Sequence, residues 1–253
     1  MKPWLGVLLL AAGCDRLFEI HSIDPAVPDA PKVYLDSMVD AQNCGMHDED
    51  GDLVNDKCDK CPSINDPGDA DSDNDGVGDR CDPDPGPANF IDEFYSFANG
   101  IGLDGTGATY PQDTLKLNDG DNAVTARNFN GPEVIDVTIA ALNPGANINI
   151  IVNPGASNIT CELLTTCAGP STCLFLAASS GEMMQVPLTF QPSELSSLVL
   201  YRTGDGTVHC SVNDLAQVHT ATLVGPAMPS GKIELLSLNG TTTLSNAIVY
   251  NLR

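Results

Sequence analysis

Two stretches of the sequence place aspartates at alternate positions, a spacing that favours binding of a hard cation. They are DEDGDLVNDKCD (48–59) and DSDNDGVGDRCD (71–82). Both follow the pattern D-x-D-x-D-x-V-x-D-x-C-D, so the second stretch repeats the first 23 residues later. Carboxylates this close repel one another unless a cation neutralises them. The repeat therefore predicts two similar cation sites.

The chemistry of the repeated residues favours calcium. Calcium takes six to eight oxygen ligands at about 2.3–2.6 Å, from carboxylates and backbone carbonyls, whereas magnesium demands a stricter octahedron and keeps more waters. We expect ten aspartate carboxylates and two valine carbonyls to supply the ligands. They are Asp48, Asp50, Asp52, Val54, Asp56 and Asp59 in the first loop, and Asp71, Asp73, Asp75, Val77, Asp79 and Asp82 in the second.

The negative charge of this segment also favours cation binding. Fourteen acidic residues lie between positions 48 and 84, and only Lys57, Lys60 and Arg80 oppose them. A solvated, disordered acidic tail would have the same charge, but it would explain neither the repeat nor the cysteines. The whole chain carries a formal net charge of -23, which excludes nucleic acid as a partner because phosphate binding needs a basic surface.

The nearest familiar calcium motif is the EF-hand, and the second loop has its aspartates at positions 1, 3 and 5 and its glycine, Gly76, at position 6. It lacks the glutamate at position 12, and Pro83 and Pro85 prevent a helix directly afterwards. With DKCPSINDP (59–67) between the loops, the segment instead resembles the thrombospondin type 3 repeat. That resemblance implies a segment held together by calcium and disulfides, with almost no apolar core. Leu53 stands in the first loop where the second has Gly76, and it departs from the pattern.

Nine cysteines accompany these features, and an odd number in an exported protein needs an explanation. If Cys14 carries a lipid, four remain in the acidic segment and four beyond it, as expected for disulfides in an oxidising compartment. We expect Cys61 to pair with Cys81 and Cys44 with Cys58. Zinc is a competing interpretation of the CxxC spacing of Cys58 and Cys61, but no second pair follows at zinc-ribbon spacing. For Cys161, Cys167, Cys173 and Cys210 three pairings remain open.

The N-terminal stretch MKPWLGVLLLAAGC is typical of a signal peptide: a positive residue, a short apolar run and small residues. Its end resembles the lipobox of bacterial lipoproteins, which implies a signal peptide over 1–13, lipidation of Cys14 and a proline-containing tether over 14–43. An ordinary secretory signal is the alternative. We thus expect an exported lipoprotein anchored at the cell surface, the outer membrane or the periplasmic face.

From residue 88 to 253 the sequence alternates short apolar runs with turn residues, after calcium-binding repeats that we place at 44–87. Many short strands at regular spacing predict a mainly β domain, an antiparallel β-sandwich of jelly-roll-like type. TGDGT (203–207) is a hairpin turn signal between two strands. The predicted strands are 114–118, 134–140, 147–152, 173–178, 184–190, 197–202, 207–212, 218–223, 232–238 and 244–252.

The ending SGKIELLSLNGTTTLSNAIVYNL and the opening FIDEFYSF (90–97) resemble concanavalin A-like lectin/glucanase sandwiches. The resemblance implies a module that binds a glycan or a cell-surface protein, with a role in adhesion. The glucanase strand E-x-D-x-x-E is absent, and the single tryptophan, Trp4, lies in the predicted signal peptide. We expect no enzymatic activity. The alternative is a carbohydrate-active enzyme with atypical carboxylates, for which the neighbouring acids Asp92 and Glu93, or Glu133 and Asp136, are the candidates.

Two other motifs lack the context that their chemistry needs. GIGLDG (100–105) has dinucleotide-binding glycines, but TGATYP follows where that fold needs a helix. GPAMPSGK (225–232) has one residue too many for a phosphate loop and no Ser or Thr after Lys232. The second stretch is expected to be a strand connection.

Overall fold

The computed structural model describes residues 44–84, 86, 89–98, 103–131, 133–154, 157–167, 172–188, 195–214, 218–225 and 230–252. The predicted signal peptide (1–13), the lipid site Cys14 and the tether (14–43) lie outside the described residues. So do parts of the glycine-rich stretches 100–105 and 225–232. Among the residues described, no helix is long and apolar enough to cross a membrane.

Two seven-stranded antiparallel sheets form a sandwich, as the sequence predicts. Sheet A has the order β1-β14-β5-β10-β11-β12, with β3 also paired to β14, and sheet B has the order β2-β4-β13-β6-β7-β8-β9. The strands are β1 (Asn89–Tyr95), β2 (Leu103–Thr106), β3 (Leu115–Leu117), β4 (Asn122–Thr125), β5 (Glu133–Leu142), β6 (Asn147–Val152), β7 (Ile159–Leu164), β8 (Thr172–Ala178), β9 (Met183–Leu188), β10 (Leu195–Arg202), β11 (Thr207–Asp214), β12 (Val218–Val224), β13 (Ile233–Leu238) and β14 (Thr242–Leu252).

The main core lies between the two sheets and follows from the period of two along each strand. In β7, Ile159, Cys161 and Leu163 are fully buried, while the residues between them are partly exposed. Cys161 is bonded to Cys210 of β11, so one disulfide joins sheet B to sheet A through the core. The other pair is Cys167–Cys173. The structure thus selects one of the three pairings that the sequence leaves open.

All ten predicted strands are present, and the turn over 203–206 joins β10 to β11, with the Thr203 amide donating to the Thr207 carbonyl at 2.9 Å. Four strands were missed: β1, β2, β4 and β7. β2 (LDGT) and β4 (NAVT) are too short and polar to show an alternation. In β1 the register shifts between Ile91 and Glu93, which breaks the period of two.

The acidic segment 44–84 is built from turns and bends with little regular secondary structure. Two disulfides cross it, Cys44–Cys58 and Cys61–Cys81, which are the two pairs expected from the sequence. Because all four of these cysteines are bonded, the CxxC pair is not a zinc site. Residues 44–253 form one compact unit, so the acidic segment belongs to the same body as the sandwich.

Candidate metal sites and the cleft beside them

The two aspartate loops fold alike, since equivalent carboxylates accept equivalent backbone hydrogen bonds. Asp48 accepts from the amides of Gly51 and Leu53 at 2.8 and 3.0 Å, and Asp71 accepts from those of Asn74 and Gly76 at 2.7 and 3.1 Å. Each of the next aspartates accepts from the amide two residues later: Asp50, Asp52 and Asp59 in the first loop, and Asp73, Asp75 and Asp82 in the second. The 23-residue repeat of the sequence is therefore also a repeat of backbone structure.

This geometry gathers the first three carboxylates of each loop. Ligand oxygens of Asp48, Asp50 and Asp52 lie within 4.8 Å of one another, and so do those of Asp71, Asp73 and Asp75. Each group could hold a metal ion.

The fourth aspartate of each loop has a different task. Asp56 accepts from His47 Nδ1 at 2.7 Å and from the Glu49 amide at 2.9 Å. Its equivalent, Asp79, accepts from the amide and the hydroxyl of Ser72 at 2.7 and 2.8 Å. These hydrogen bonds connect the fourth aspartate, near the end of each loop, to residues at the start of the same loop, whether or not a cation is bound.

The fifth aspartate lies close to the gathered carboxylates. Asp59 is buried, and burial followed by the charges of Asp50 and Asp52 raises its pKa to about 6. In the second loop, burial followed by the charges of Asp75 and Asp82 raises the pKa of Asp73. Several carboxylates held at this separation disfavour one another's ionisation, and a bound cation would remove that cost.

The test of whether these residues suit a cation is the state of their buried oxygens. Asp50 Oδ2 is buried and accepts no hydrogen bond from any residue that the structure describes. The same holds within the described chain for Asp66 Oδ2 and Asn89 Oδ1, which occupy equivalent positions 23 residues apart. The amides of these two residues donate to equivalent carboxylates, Asp52 Oδ2 at 2.9 Å and Asp75 Oδ2 at 2.7 Å. Because an unsatisfied buried oxygen is costly, the residues fit a cation.

Asp66 and Asn89 were not among the predicted ligands. The signal that could have found them is the repeat itself, which continues past Cys58 and Cys81 to this position. Val54 and Val77 were predicted for their carbonyls. The structure gives hydrogen-bond partners for their amides, Asp52 and Asp75 respectively.

The turn that closes each loop needs a left-handed residue. Gly76 has φ 101° and the equivalent Leu53 has φ 80°, so both loops adopt the same turn although only one has a glycine. The Leu53 side chain is 92% exposed, and no packing compensates for its backbone conformation. The departure from the repeat pattern at Leu53 therefore costs stability without changing the loop geometry.

The second loop is docked on the outer face of sheet A. Val77 is 1% exposed and packs in a cluster with Val134, Ile248, Tyr250 and Leu252, which all point away from the main core. This role of Val77 was missed, because a single valine among aspartates gives no periodic signal.

Asn89, the first residue of β1, forms the polar half of the docking. It is buried, and its Nδ2 donates to Asp82 Oδ1 at 2.8 Å and to the Asp84 carbonyl at 3.2 Å. The first residue of the sandwich thus pairs with β14 through its backbone and binds the second loop through its side chain.

Beside the docked loop, the same face of sheet A is open and forms a cleft of about 400 Å³. Pro83 forms one wall and strands β5, β10, β11 and β12 form the floor. The lining residues are Pro83, Val134, Val199, Tyr201, His209, Ser211, Asn213, Val218 and Thr220.

The acids proposed from the sequence for a hydrolytic site are engaged elsewhere. Arg127 binds Asp92 Oδ1 at 2.7 Å and Glu93 Oε2 at 3.0 Å. Glu133 is 1% exposed and pairs with the equally buried Arg202 at 2.9 Å. Burial raises the pKa of Asp136 to about 6, although a hydrogen bond from Ser197 lowers it. Neither pair is presented to an open surface as two free carboxylates.

The fold is shared with proteins of known structure. The legume lectin-like domain from Entamoeba histolytica matches with a TM-score of 0.51 at 6% identity, over 60% of this chain and 91% of that domain. The β-glucanase of Bacillus licheniformis matches with a TM-score of 0.49 at 14% identity, over 64% of this chain and 98% of the enzyme. Lectin I-B4 from Griffonia simplicifolia matches with a TM-score of 0.44 at 9% identity, over 59% of this chain and 92% of the lectin.

No protein-family model matches the chain, and no curated protein matches it in sequence. The structural similarity defines the fold class: residues 89–252 form a concanavalin A-like lectin/glucanase sandwich, as the C-terminal strands predicted.

Proposed function

We propose that the protein is an exported, membrane-anchored, calcium-binding module whose sandwich binds carbohydrate without hydrolysing it. The observation that carries this proposal is the pair of equivalent aspartate loops, joined to a lectin-like sandwich. Each loop has three convergent carboxylates and at least one buried oxygen to which no described residue donates a hydrogen bond.

Calcium fits the loops better than other cations. The donors are carboxylate, amide and carbonyl oxygens, which suit hard cations and exclude zinc or copper. Two sites that gather oxygens from irregular loops suit the flexible coordination of calcium. With its disulfides and its second-loop docking, the segment resembles thrombospondin type 3 repeats more than EF-hands. When bound, one ion in each loop would neutralise the clustered charge; Asp48, Asp50 and Asp52 would hold the first, and Asp71, Asp73 and Asp75 the second.

Calcium binding is tested by titration calorimetry on the full chain with its disulfides intact. Extracellular modules have Kd values near 10⁻⁴–10⁻³ M, so uptake is expected at up to about 5 mM calcium. Asp73→Asn should weaken binding, and Asp104→Asn, which removes one negative charge from an exposed position of β2, should not. No uptake at about 5 mM, or equal effects of the two substitutions, contradicts the assignment.

The four disulfides support an extracytoplasmic location, since such bonds persist in oxidising compartments. Anchoring through lipid on Cys14 is the further proposal. Metabolic labelling with a fatty acid tests it: the wild-type chain should incorporate label and Cys14→Ser should not. Label that persists in the variant contradicts the lipid site.

Carbohydrate binding is proposed from the fold, and it needs its own test because a fold does not fix a function. A glycan array followed by a hydrolysis screen separates the two candidate functions. Binding without turnover agrees with a binding module.

One observation favours the second candidate, a carbohydrate-active enzyme. Glu162 lies on the outer face of sheet B opposite Asn149 of β6 and Phe175 of β8. Burial raises its pKa, although hydrogen bonds from Asn149 and Asn147 lower it. A half-buried carboxyl group beside an aromatic ring is suited to protonate a leaving group. Turnover that Glu162→Gln abolishes would replace the binding function by this one.

A further inference from the structure

The docked second loop divides the outer face of sheet A into a covered half and an open half. Val77 covers the part formed by β1, β14 and β5, where Ile248, Tyr250 and Leu252 are buried. Over β10, β11 and β12 the face is uncovered, and the step between the two halves is the cleft bounded by Pro83.

Neighbouring strands place the polar groups of the cleft in adjacent cross-strand pairs. Tyr201 of β10 lies opposite His209 of β11, with ring centroids 5.7 Å apart. Ser211 of β11 lies opposite Thr220 of β12, and their hydroxyl oxygens are 2.8 Å apart. The cleft therefore presents an aromatic ring next to a row of groups that both donate and accept hydrogen bonds.

The side chains that line the cleft disfavour an anionic ligand. Among the described residues that line it, none has a carboxylate, lysine or arginine side chain. Burial, followed by the negative charges of Asp84 and Asp205, raises the pKa of Tyr201. The Tyr201 hydroxyl therefore stays protonated and can donate a hydrogen bond. An acidic surround without a cation in the lining disfavours anionic ligands such as nucleotides or sulfated polymers.

The lining also selects the shape and polarity of a ligand. A volume of about 400 Å³ falls in the range of small-ligand sites. A pyranose ring has a face of C–H groups, which suits the electron-rich face of an aromatic ring, and hydroxyls at its edge. Val199 and Val134 add apolar floor beside Tyr201.

We propose that this cleft is a binding site for a neutral saccharide, with Tyr201 stacked on the sugar ring and Ser211, Thr220 and His209 as its hydrogen-bond partners. The assignment rests on the proposed carbohydrate-binding function and specifies where on the molecule that function resides.

The wall of the cleft depends on the second aspartate loop. Pro83 lies between Asp82 and Asp84, and both of these neighbours are held by Asn89. Asp82 Oδ1 also accepts from the Asp84 amide at 2.8 Å, across Pro83. A cation that orders this loop therefore orders the wall, and saccharide binding depends on calcium. By linkage, the saccharide must raise calcium affinity by the same factor.

The site is tested on the full chain in calcium, by titration calorimetry with a neutral glycan found on the array. Tyr201→Ala should weaken binding about tenfold or more, as expected for a central aromatic contact. Thr220→Val keeps the shape and strand preference of the side chain but removes the hydroxyl, and it should weaken binding by roughly three- to tenfold. Thr160→Val makes the same change on the outer face of sheet B and should leave affinity unchanged.

The outcomes separate this site from the general function. If the glycan binds and neither Tyr201→Ala nor Thr220→Val weakens it, the cleft is not the site, although the carbohydrate-binding function stands. If the wild-type chain binds no glycan, the proposed function is wrong and the site falls with it. Should Tyr201→Ala fail to fold, Thr220→Val against Thr160→Val still decides.

The dependence on calcium is tested by repeating the wild-type titration in chelator. Affinity should fall about tenfold or more when the wall is no longer ordered, and calcium titrated into the saccharide-saturated chain should bind tighter by the same factor. Equal saccharide affinity with and without calcium overturns the coupling.

Discussion

Asn89 provides the sharpest test of whether the aspartate segment and the sandwich act as one body. Its side chain is 3% exposed and belongs by sequence to β1, yet both hydrogen bonds of its Nδ2 go to the second loop. Asn89→Ala removes these bonds together with the buried Oδ1 oxygen that suits a cation, and leaves in place the strand pairing and the hydrogen bond from the Asn89 backbone amide to Asp75 Oδ2. The substitution should therefore act on docking and spare the sandwich.

The expected loss follows from the two acceptors. A hydrogen bond to a charged group, here Asp82, contributes about 1.5–3 kcal/mol, and one to a neutral carbonyl about 0.5–1.5 kcal/mol. In saturating calcium, Asn89→Ala should lower the free energy of unfolding by roughly 2–4 kcal/mol. In chelator the loop is expected to be expanded by its own charge, so that the same substitution should cost far less. Urea denaturation at several calcium concentrations measures both values.

Two further variants sharpen the comparison. Asn89→Asp introduces the residue type found at the equivalent position 66. The substitution keeps a side-chain oxygen but removes the Nδ2 donor, so it should also weaken the docking of the second loop. Asn251→Ala removes a half-buried amide from the neighbouring strand and should change stability by no more than about 0.5 kcal/mol. An equal loss from Asn89→Ala with and without calcium would refute the reasoning, because the residue would then act within the sandwich alone.

Three other perturbations test separate parts of the structure. Leu53→Gly should stabilise the calcium-bound chain by about 0.5–1 kcal/mol, because it relieves a left-handed backbone, whereas Gly76→Ala should destabilise it by about 1 kcal/mol; thermal melting in calcium measures both, and equal signs would contradict the shared turn. Replacing Cys161 and Cys210 together by alanine removes a disulfide between residues 49 positions apart, and the free energy of unfolding, measured by urea denaturation, should fall by about 4 kcal/mol. A loss below about 1 kcal/mol would mean that the disulfide does not constrain the unfolded chain. The pKa of Asp136 is raised to about 6, so the folded state binds the proton of this carboxyl group more tightly than the unfolded state does. The contribution of Asp136 to stability should therefore fall as pH rises from about 4 to 6. Asp136→Asn should stabilise the protein by up to about 3 kcal/mol at pH 7 but little at pH 4. A variant no more stable than wild type at pH 7 would contradict that pKa.

The sandwich was predictable where one face of a strand meets the core and the other meets solvent. β6 (NINIIV) and β11 (TVHCSVND) were found because apolar residues recur at every second position and turn residues bound both runs. β7 was missed although Ile159, Cys161 and Leu163 alternate with partly exposed residues, because the turn-forming stretch NPGASN (153–158) precedes it directly. The pairing of strands into two sheets could not be predicted, since it depends on contacts between residues more than a hundred positions apart, such as those of β5 with β14.

The candidate metal sites were predictable because they are local. Spacing within twelve residues decides which carboxylates meet, and the structure gathers Asp71, Asp73 and Asp75 as the repeat suggested. The docking of Val77 and the cleft beside it were not predictable, because they join residues from both halves of the chain. A fold-level resemblance gave the architecture of the sandwich but no information about what covers its outer face.

The equivalence of Asp66 and Asn89 has a consequence for how the acidic segment joins the sandwich. The Asp66 backbone amide, in the link that follows the first loop, donates to Asp52 Oδ2, and 23 residues further on the Asn89 backbone amide, which opens the sandwich, donates to Asp75 Oδ2 in the same way. For the purpose of this bond, the sandwich stands where a third loop would begin. The boundary between the acidic segment and the sandwich is therefore built like the boundary between the two loops, and the sandwich continues the 23-residue spacing of the acidic segment into its first strand.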